Sequence, residues 1–380
     1  MSRLKQAPKR ILHIVSAMDL GGAETLIMNI YRNLDRTKIQ FDFVVHSNKK
    51  NDFEEEIIKL GGKIFKIPSL GQLGPFNYIK KLMKIMKSNH YIAIHSHTDY
   101  QSGFPALAAK ISGVKKRICH SHSNNWPNGA QFRQKMSLKV LQKIIQFSAT
   151  NYCSCSKEAA QFLFGKKLVD SGKVRIFKNG IDISEFTKIE ADTRNRVIRE
   201  LELPEDAKIL GHVGRFSDSK NQIFILNLLI KLLEEDERYY ALLIGDGPLK
   251  EQIETEAEML GIIDHVKFLG VRTDIPRLMK AFDVFLFPSK FEGFGIVVLE
   301  AQSAGAPCVL SAAVPKMTDM GLGLTTFVDL KESLNIWCQK VKESINKERP
   351  NSELIEETIS EKGYNIKSNV NEWVDLYGAS

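Results

Sequence analysis

The sequence predicts an α/β protein built from two doubly wound, Rossmann-like domains in tandem. Short continuous apolar runs rich in β-branched residues alternate with longer segments of helical period, the pattern of buried parallel strands and covering helices. One motif, an apolar strand, a loop of small or polar residues and then an amphipathic helix, occurs at residues 11–33 and again at 209–233. The length of 380 residues also exceeds the roughly 100–200 that one domain usually holds.

The strand candidates of the first half are residues 11–15, 41–45, 63–67, 91–95, 117–120 and 151–155. Those of the second half are 209–213, 241–244, 266–268, 284–287 and 308–310, separated by helices over 221–233, 249–260, 275–281 and 296–303. The join falls in the polar stretch 180–204, which puts the first domain at 1–182 and the second at 183–359. A closing helix within 360–380 carries Trp373, Val374, Leu376 and Tyr377, an apolar set that needs a surface and is expected to pack back on the first domain.

With 43% hydrophobic and 26% charged residues the chain is neither disordered nor fibrous. The apolar run at 11–15 is too short for a secretory signal, and no run approaches the ~18 residues of a membrane helix, so the expected location is the cytoplasm. Cys119, Cys153, Cys155, Cys308 and Cys338 form an odd set without Cys-x-x-Cys spacing, which fits a reducing compartment rather than a disulfide framework or zinc knuckle. Net charge is +8, but residues 1–180 hold 30 Lys and Arg against 11 Asp and Glu, whereas 181–380 hold 23 against 34. A cationic first half points to a polyanionic partner: nucleic acid, anionic lipid or a phosphorylated substrate.

Four motifs can carry chemistry. The loop Leu20-Gly21-Gly22-Ala23-Glu24 leads from the first strand into a helix, where small residues and free backbone N–H groups can approach a phosphate; a plain tight turn is the alternative. Neither Gly-x-Gly-x-x-Gly nor a Walker A sequence occurs in the chain. The loop after the first strand of the second half holds Gly214, Arg215 and Lys220, two cations that can clamp a diphosphate or simply be solvated. In Phe287-Pro288-Ser289-Lys290-Phe291-Glu292-Gly293-Phe294-Gly295-Ile296, a strand enters a loop with two glycines and a largely apolar helix leaves it. That helix carries Glu300, an acid that needs either a salt bridge within the domain or a pair of ligand hydroxyls such as a ribose. Glu292 opens the loop. Finally, His95-Ser96-His97 and His120-Ser121-His122 each follow a predicted strand; without an acid between residues 100 and 157 they make poor metal ligands and better hydrogen-bonding partners for a sugar hydroxyl.

Two basic amphipathic segments complete the first half. Residues 77–87 set Lys80, Lys81, Lys84 and Lys87 among Ile79, Leu82, Met83, Ile85 and Met86, and residues 132–147 set Arg133, Lys135, Lys139 and Lys143 among Met136, Val140, Leu141 and Ile144. Such helices either lie on an anionic membrane surface or face a core and present a solvated basic back. Their cations sit among Met, Ile and Leu rather than stacking aromatics, so nucleic acid is not the expected partner.

Together, the Gly-Gly-Ala-Glu loop, Arg215 with Lys220, Asn179-Gly180-Ile181-Asp182, and Glu292 with Glu300 at Glu-x7-Glu spacing resemble the family-4 retaining glycosyltransferases of GT-B fold. The match runs in order over residues ~10–330, and the chain looks most like members that build capsule or exopolysaccharide. The resemblance implies two Rossmann-like domains facing across a cleft, a nucleotide-sugar donor, most simply a UDP-sugar, on the second, and a lipid-linked saccharide acceptor on the first. It implies that Glu300 holds the ribose, that Arg215 and Lys220 hold the diphosphate with Gly21, Gly22 and Gly214 near it, and that Glu292 and the Gly293, Phe294, Gly295 and Ile296 backbone meet the transferred sugar. The family's sugar-contacting His falls on His120 or His122, with His120 slightly favoured. Asp-x-Asp is absent from the whole chain, so neither a metal nor any other cofactor is expected. A nucleic-acid-binding protein, an inactive scaffold of the same fold, and an epimerase or phosphorylase on this architecture are the competing readings.

Overall fold

The computed structural model describes residues 7–19, 21–122, 132–190 and 192–379, with backbone alone for 132–136. Leu20 of the first loop, residues 1–6, and the side chains of Arg133, Lys135 and Met136 lie outside the described residues. The chain forms two compact units, Met1–Ile181 with Gly363–Ser380, and Asp182–Lys362.

The first unit contains β1 (Lys9–Ile14), β2 (Ile39–Val45), β3 (Ile64–Lys66), β4 (Tyr91–Ser96), β5 (Lys116–Ser121), β6 (Asn151–Ser154) and β7 (Val174–Ile176). They pair in parallel in the order β3-β2-β1-β4-β5-β6-β7. Every residue of β2 is buried, as a strand covered on both faces requires. Its one acid, Asp42, is held by the Arg10 guanidinium, by the Tyr91 hydroxyl at 2.9 Å and by the Lys63 backbone N–H at 2.8 Å. A buried carboxylate is tolerated only with such partners. The helix Ile366–Tyr377 closes the unit, burying Ile366, Val370, Trp373, Leu376 and Tyr377 against a core shared with β1, β2 and the helix Gly22–Asn33.

The second unit contains β8 (Lys208–Val213), β9 (Tyr239–Ile244), β10 (Val266–Gly270), β11 (Val284–Phe287), β12 (Cys308–Ser311) and β13 (Thr325–Val328). These are parallel too, in the order β10-β9-β8-β11-β12-β13. One face is packed by the helix Gln222–Leu233, whose Ile225, Leu226, Leu228, Leu229 and Leu232 repeat at helical spacing, and by Trp337. In both sheets the strand order reverses once, between β1 and β4 and between β8 and β11. At such a switch point the loops leaving the two strands diverge and open a crevice at their carboxyl ends.

The eleven strands expected from apolar runs are all present, but β7 and β13 were not anticipated. Both are short edge strands, with Arg175 inside one and Thr325-Thr326 opening the other, so neither shows a continuous apolar run. The helix expected at 77–87 belongs to a longer one, Leu70–Ser88, which bends where Gly74 takes a positive φ of 70° before Pro75.

Candidate functional site

In the second unit, the loops after β8 and β11 flank the switch point and are tied to each other. Asn221, in the left-handed region at φ 60°, donates from Nδ2 to the Pro288 carbonyl at 3.1 Å, and the Lys290 backbone N–H donates to the Ser219 carbonyl at 2.8 Å. His212 at the base is fully buried. Its Nδ1–H donates to the Leu286 carbonyl at 2.9 Å, and its Nε2 accepts from Gln222 Nε2 at 3.2 Å. Burial pushes its pKa down to about 4, so the ring is neutral scaffolding between β8 and β11. Gln222 Nε2 also donates to the Arg215 carbonyl at 2.9 Å and so fixes the backbone that presents Arg215.

On this frame Lys220 pairs with Glu292, and its ammonium lies 4.8 Å from the centre of the Phe287 ring. Arg215 is exposed and its side chain has no partner among the described residues. Gly214 sits at the turn, where a Cβ would stand 3.3 Å from His212 Nε2. Glu292 is followed by exposed Gly293 and half-buried Phe294, Gly295 and Ile296. Gly295 adopts φ 78° and starts the helix Ile296–Ser303 with no side-chain cap, so the first-turn N–H groups face the loop and leave a partial positive charge there. Glycine takes that conformation at no steric cost.

Glu300 stands in the same helix and makes no ion pair or side-chain hydrogen bond among the described residues, so the alternative of a salt bridge within the domain is not what the structure contains. Part of its surface reaches solvent, yet protein surrounds it closely. Burial, with a smaller push from Glu185, raises its pKa to about 7. Folding therefore opposes ionisation of this acid. Whatever stability the neutral form supplies is present below the ordinary carboxyl range and is lost as pH rises through about 7. Glu300→Gln is expected to melt higher than the wild type at pH 8, with the gain shrinking as pH falls through about 7 and vanishing only below about 4.5; an equal gain across that range would contradict a charged, unpaired Glu300.

One element of this site escaped the sequence reading. The loop Gly245-Asp246-Gly247 after β9 lies directly under the Arg215 loop: Gly214 N–H donates to the Ile244 carbonyl at 2.9 Å and Phe216 N–H to the Asp246 carbonyl at 2.9 Å. Gly245 has φ 135°, and a Cβ there would stand 2.1 Å from the Gly214 carbonyl oxygen. A Gly-x-Gly after a strand is the signal that could have found it. Gly245→Ala is expected to cost more than about 1 kcal/mol in urea denaturation, because backbone must move on both sides of the clash. An unchanged midpoint would show that the two loops are not packed as described.

In the first unit Gly21 precedes the helix Gly22–Asn33, and its N–H is already used by the Asp19 carbonyl at 2.8 Å. The Glu24 carboxyl folds back so closely that a Cβ on Gly21 would stand 2.3 Å from it, whereas Gly22 is exposed with nothing near. Only the movable end of the Glu24 side chain stands against Gly21, and no heavy atom lies within 4 Å of a Cβ on Gly22.

The histidines differ from expectation. β4 and β5 run on to Ser96 and Ser121, so His95 and His120 lie inside strands and are fully buried, while His97 and His122 follow the strand ends. His13 of β1, absent from the sequence reading, is the register neighbour of His95 and joins them. His122 Nε2 is 2.8 Å from His97 Nδ1, His97 Nε2 is 3.1 Å from His13 Nδ1, and His95 Nε2 is 3.1 Å from His120 Nδ1. Tyr377 OH, from the closing helix, lies 2.8 Å from His95 Nδ1 and 3.5 Å from His13 Nε2. Burial holds all five imidazoles below their ordinary pKa, and mutual repulsion adds to this at His95, His97 and His120. Of the two candidates for sugar contact, His120 is sealed in the sheet and His122 is partly exposed. The acid nearest the histidines in sequence is Asp99, just before the acid-free stretch, whose Oδ1 accepts the His122 backbone N–H at 2.8 Å. Three-nitrogen groups that could hold a metal, His13/His95/His97 and His97/His120/His122, span no more than 4.8 Å, so the expectation of poor ligand spacing fails in three dimensions.

Of the basic segments, the helix Leu70–Ser88 buries Tyr78, Leu82 and Met86 in the core and exposes Lys80, Lys81, Lys84 and Lys87. Leu73 and Met83 line a shallow groove with those lysines, and Phe76 beside it is 78% exposed. In the helix Phe132–Ser148, Lys139, Val140, Lys143 and Phe147 are exposed. Among the described residues, no helix is long and apolar enough to cross a membrane.

Comparison with known proteins identifies the family and the fold. A family model described as Glycosyltransferase Family 4 matches residues 20–185, and one described as Glycosyl transferases group 1 matches residues 193–320. The chain is 38% identical over 379 residues to a putative glycosyltransferase, EpsF, of Bacillus subtilis, covering 99% of this chain and 98% of the relative. It is 22% identical over 312 residues to the UDP-Gal:alpha-D-GlcNAc-diphosphoundecaprenol alpha-1,3-galactosyltransferase of Escherichia coli, covering 80% and 79%. Among solved structures, Anabaena HepE in complex with UDP and glucose superposes with a TM-score of 0.75 at 22% identity, over 98% of this chain and 100% of that one.

Proposed function

The chain belongs to the family 4 glycosyltransferases and has their GT-B fold, and from that premise we propose that it moves a hexose or N-acetylhexosamine, with retention of anomeric configuration, from a UDP-sugar to a lipid-linked saccharide in exopolysaccharide or capsule synthesis. The observation that carries the donor reading is the convergence of Lys220, Glu292 and the amides opening the helix Ile296–Ser303 at the β8/β11 switch point, with Arg215 unpaired on the adjoining loop. Support for the choice of donor and acceptor comes from relatives whose own ligands are UDP, glucose and a sugar-diphospholipid.

The chemistry follows from charge. Cleavage of the anomeric C–O bond leaves an oxocarbenium-like sugar and a nucleoside diphosphate with growing negative charge, which Arg215, Lys220 and the helix amides stabilise. Glu292 exchanges Lys220 for a hydroxyl of the transferred sugar, and Glu300 accepts from the two ribose hydroxyls. His122, the exposed member of the histidine pair, takes the sugar contact. The acceptor hydroxyl attacks from the face the diphosphate leaves, and its proton passes to a departing phosphate oxygen. With no Asp-x-Asp in the chain, the diphosphate is neutralised by side chains rather than by a metal, so transfer is expected to persist in EDTA. Restoration by Mg²⁺ or Mn²⁺ of activity lost to chelation would contradict this.

The exposed lysines and Phe76 of the helix Leu70–Ser88 seat the first unit on an anionic cytoplasmic membrane surface, where the acceptor resides. Sedimentation with anionic liposomes that weakens with salt, without comparable binding to DNA, is the matching result. Thermal-shift screening against UDP-, GDP- and ADP-sugars tests the donor: a ligand at ~100 times its dissociation constant adds ~2.7 kcal/mol. A stabilisation by UDP-sugars is expected, and none with any nucleotide sugar would overturn the reading.

A further inference from the structure

The contacts among the five histidines, four of them buried and His122 partly exposed, form one unbranched file: His122, His97, His13, Tyr377, His95, His120. A neutral imidazole has one N–H and one bare nitrogen, and a hydroxyl donates once. With Tyr377 donating along the file, every link points the same way and two arrangements of protons satisfy it. A third, in which Tyr377 accepts from both neighbours, strands its own buried hydroxyl proton and is disfavoured for the same reason as a stranded N–H. In the two that remain, either all five rings carry the proton on Nδ1, or all five carry it on Nε2.

The two ends decide between them. At the inner end His120 Nε2 is fully buried and has no partner. At the outer end His122 Nδ1 has no partner among the described residues, and the ring is partly exposed to water. The all-Nε2 arrangement would bury an unsatisfied N–H at His120, whereas the all-Nδ1 arrangement leaves a bare lone pair there and turns an N–H outward at His122. A stranded buried donor is rarer and costlier than a stranded acceptor.

We propose that this file is a tautomer-setting device in which the buried end at His120 fixes His122 as the Nδ1–H form, with His97 as the positioning residue that donates to His122 Nε2, so that His122 presents a hydrogen-bond donor to a sugar hydroxyl. The role in transfer rests on the function proposed above; the proton arrangement does not. Burial supports the device, because rings that resist protonation keep one donor and one acceptor each. Asp99 holds the outer end through the His122 backbone, and Trp373 covers the file, its ring centre 4.9 Å from that of His95. A metal bound by either three-histidine group would have to break links of the file.

Long-range ¹H–¹⁵N correlation spectra of the ¹⁵N-histidine-labelled full chain test it. Nδ1–H is expected for His13, His95, His97, His120 and His122, although imidazole in water favours Nε2–H. Any of the five in the Nε2–H form overturns the proposal. Tyr377→Phe removes one hydroxyl and cuts the file: His95 and His120, now with an unsatisfied nitrogen at either end, are expected to become tautomer mixtures while the other three stay as Nδ1–H. No change at His95 and His120 would contradict the link through Tyr377. His97→Leu is expected to lower kcat about tenfold at unchanged donor KM, the size of one lost hydrogen bond, and to release His122 toward Nε2–H. His97→Gln, whose amide can donate to the same nitrogen, should retain both properties; equal losses in the two variants overturn the positioning role. If the tautomers are as drawn and no nucleotide sugar binds, the file stands and the functional reading alone falls.

Discussion

Arg215→Ala is expected to lower turnover by about 10²–10³-fold and to leave the melting temperature unchanged. The first half of that expectation follows from the proposed role of Arg215 as a donor to the charge that grows on the leaving diphosphate. The second follows because the guanidinium is exposed and has no partner among the described residues, so its loss removes no contact seen there that folding requires. Steady-state transfer assays and a thermal melt on one preparation check both. A large fall in melting temperature would mean that Arg215 is structural, and an unchanged turnover would remove it from the diphosphate site.

Glu292→Gln separates binding from transfer. Glu292 pairs with the ammonium of Lys220, the partner that the proposed function gives to a phosphate oxygen of the donor. Removing that charge releases the cation, and UDP is expected to bind about tenfold more tightly, the worth of one hydrogen bond to a charged group. Turnover is expected to fall by about 10²-fold, because the carboxylate that would receive the transferred sugar is gone. Calorimetric titration with UDP alongside the transfer assay measures the split. Weaker UDP binding in the variant would mean that Glu292 orients Lys220 for the donor rather than competing with it.

The fold was legible because both sheets are parallel and buried, which writes their central strands as continuous apolar runs. The edge strands β7 and β13 have solvent on one side and no such run. Lys220, Glu292, Gly293 and Gly295 were legible as members of two adjoining loops because each lies in a loop that a strand feeds and a helix leaves, and those positions are local in sequence. Gly245 was overlooked because its role is a backbone contact with Gly214, and nothing in its own segment names that partner. The imidazole file was hidden for the same reason on a larger scale. His13 reads as a polar interruption of an apolar strand, and Tyr377 lies 364 residues away from it in sequence. Only the β1–β4 register and the return of the closing helix bring them together.

The most direct test is to titrate UDP into the ¹⁵N-labelled chain and follow the backbone amides of Gly214, Lys220, Gly293 and Gly295. The account predicts that these four move together and saturate at one UDP per chain, and that Arg215→Ala weakens the response. If UDP leaves them still, or shifts only amides of the first unit, the diphosphate does not bind at the β8/β11 switch point and the mechanism built there is wrong.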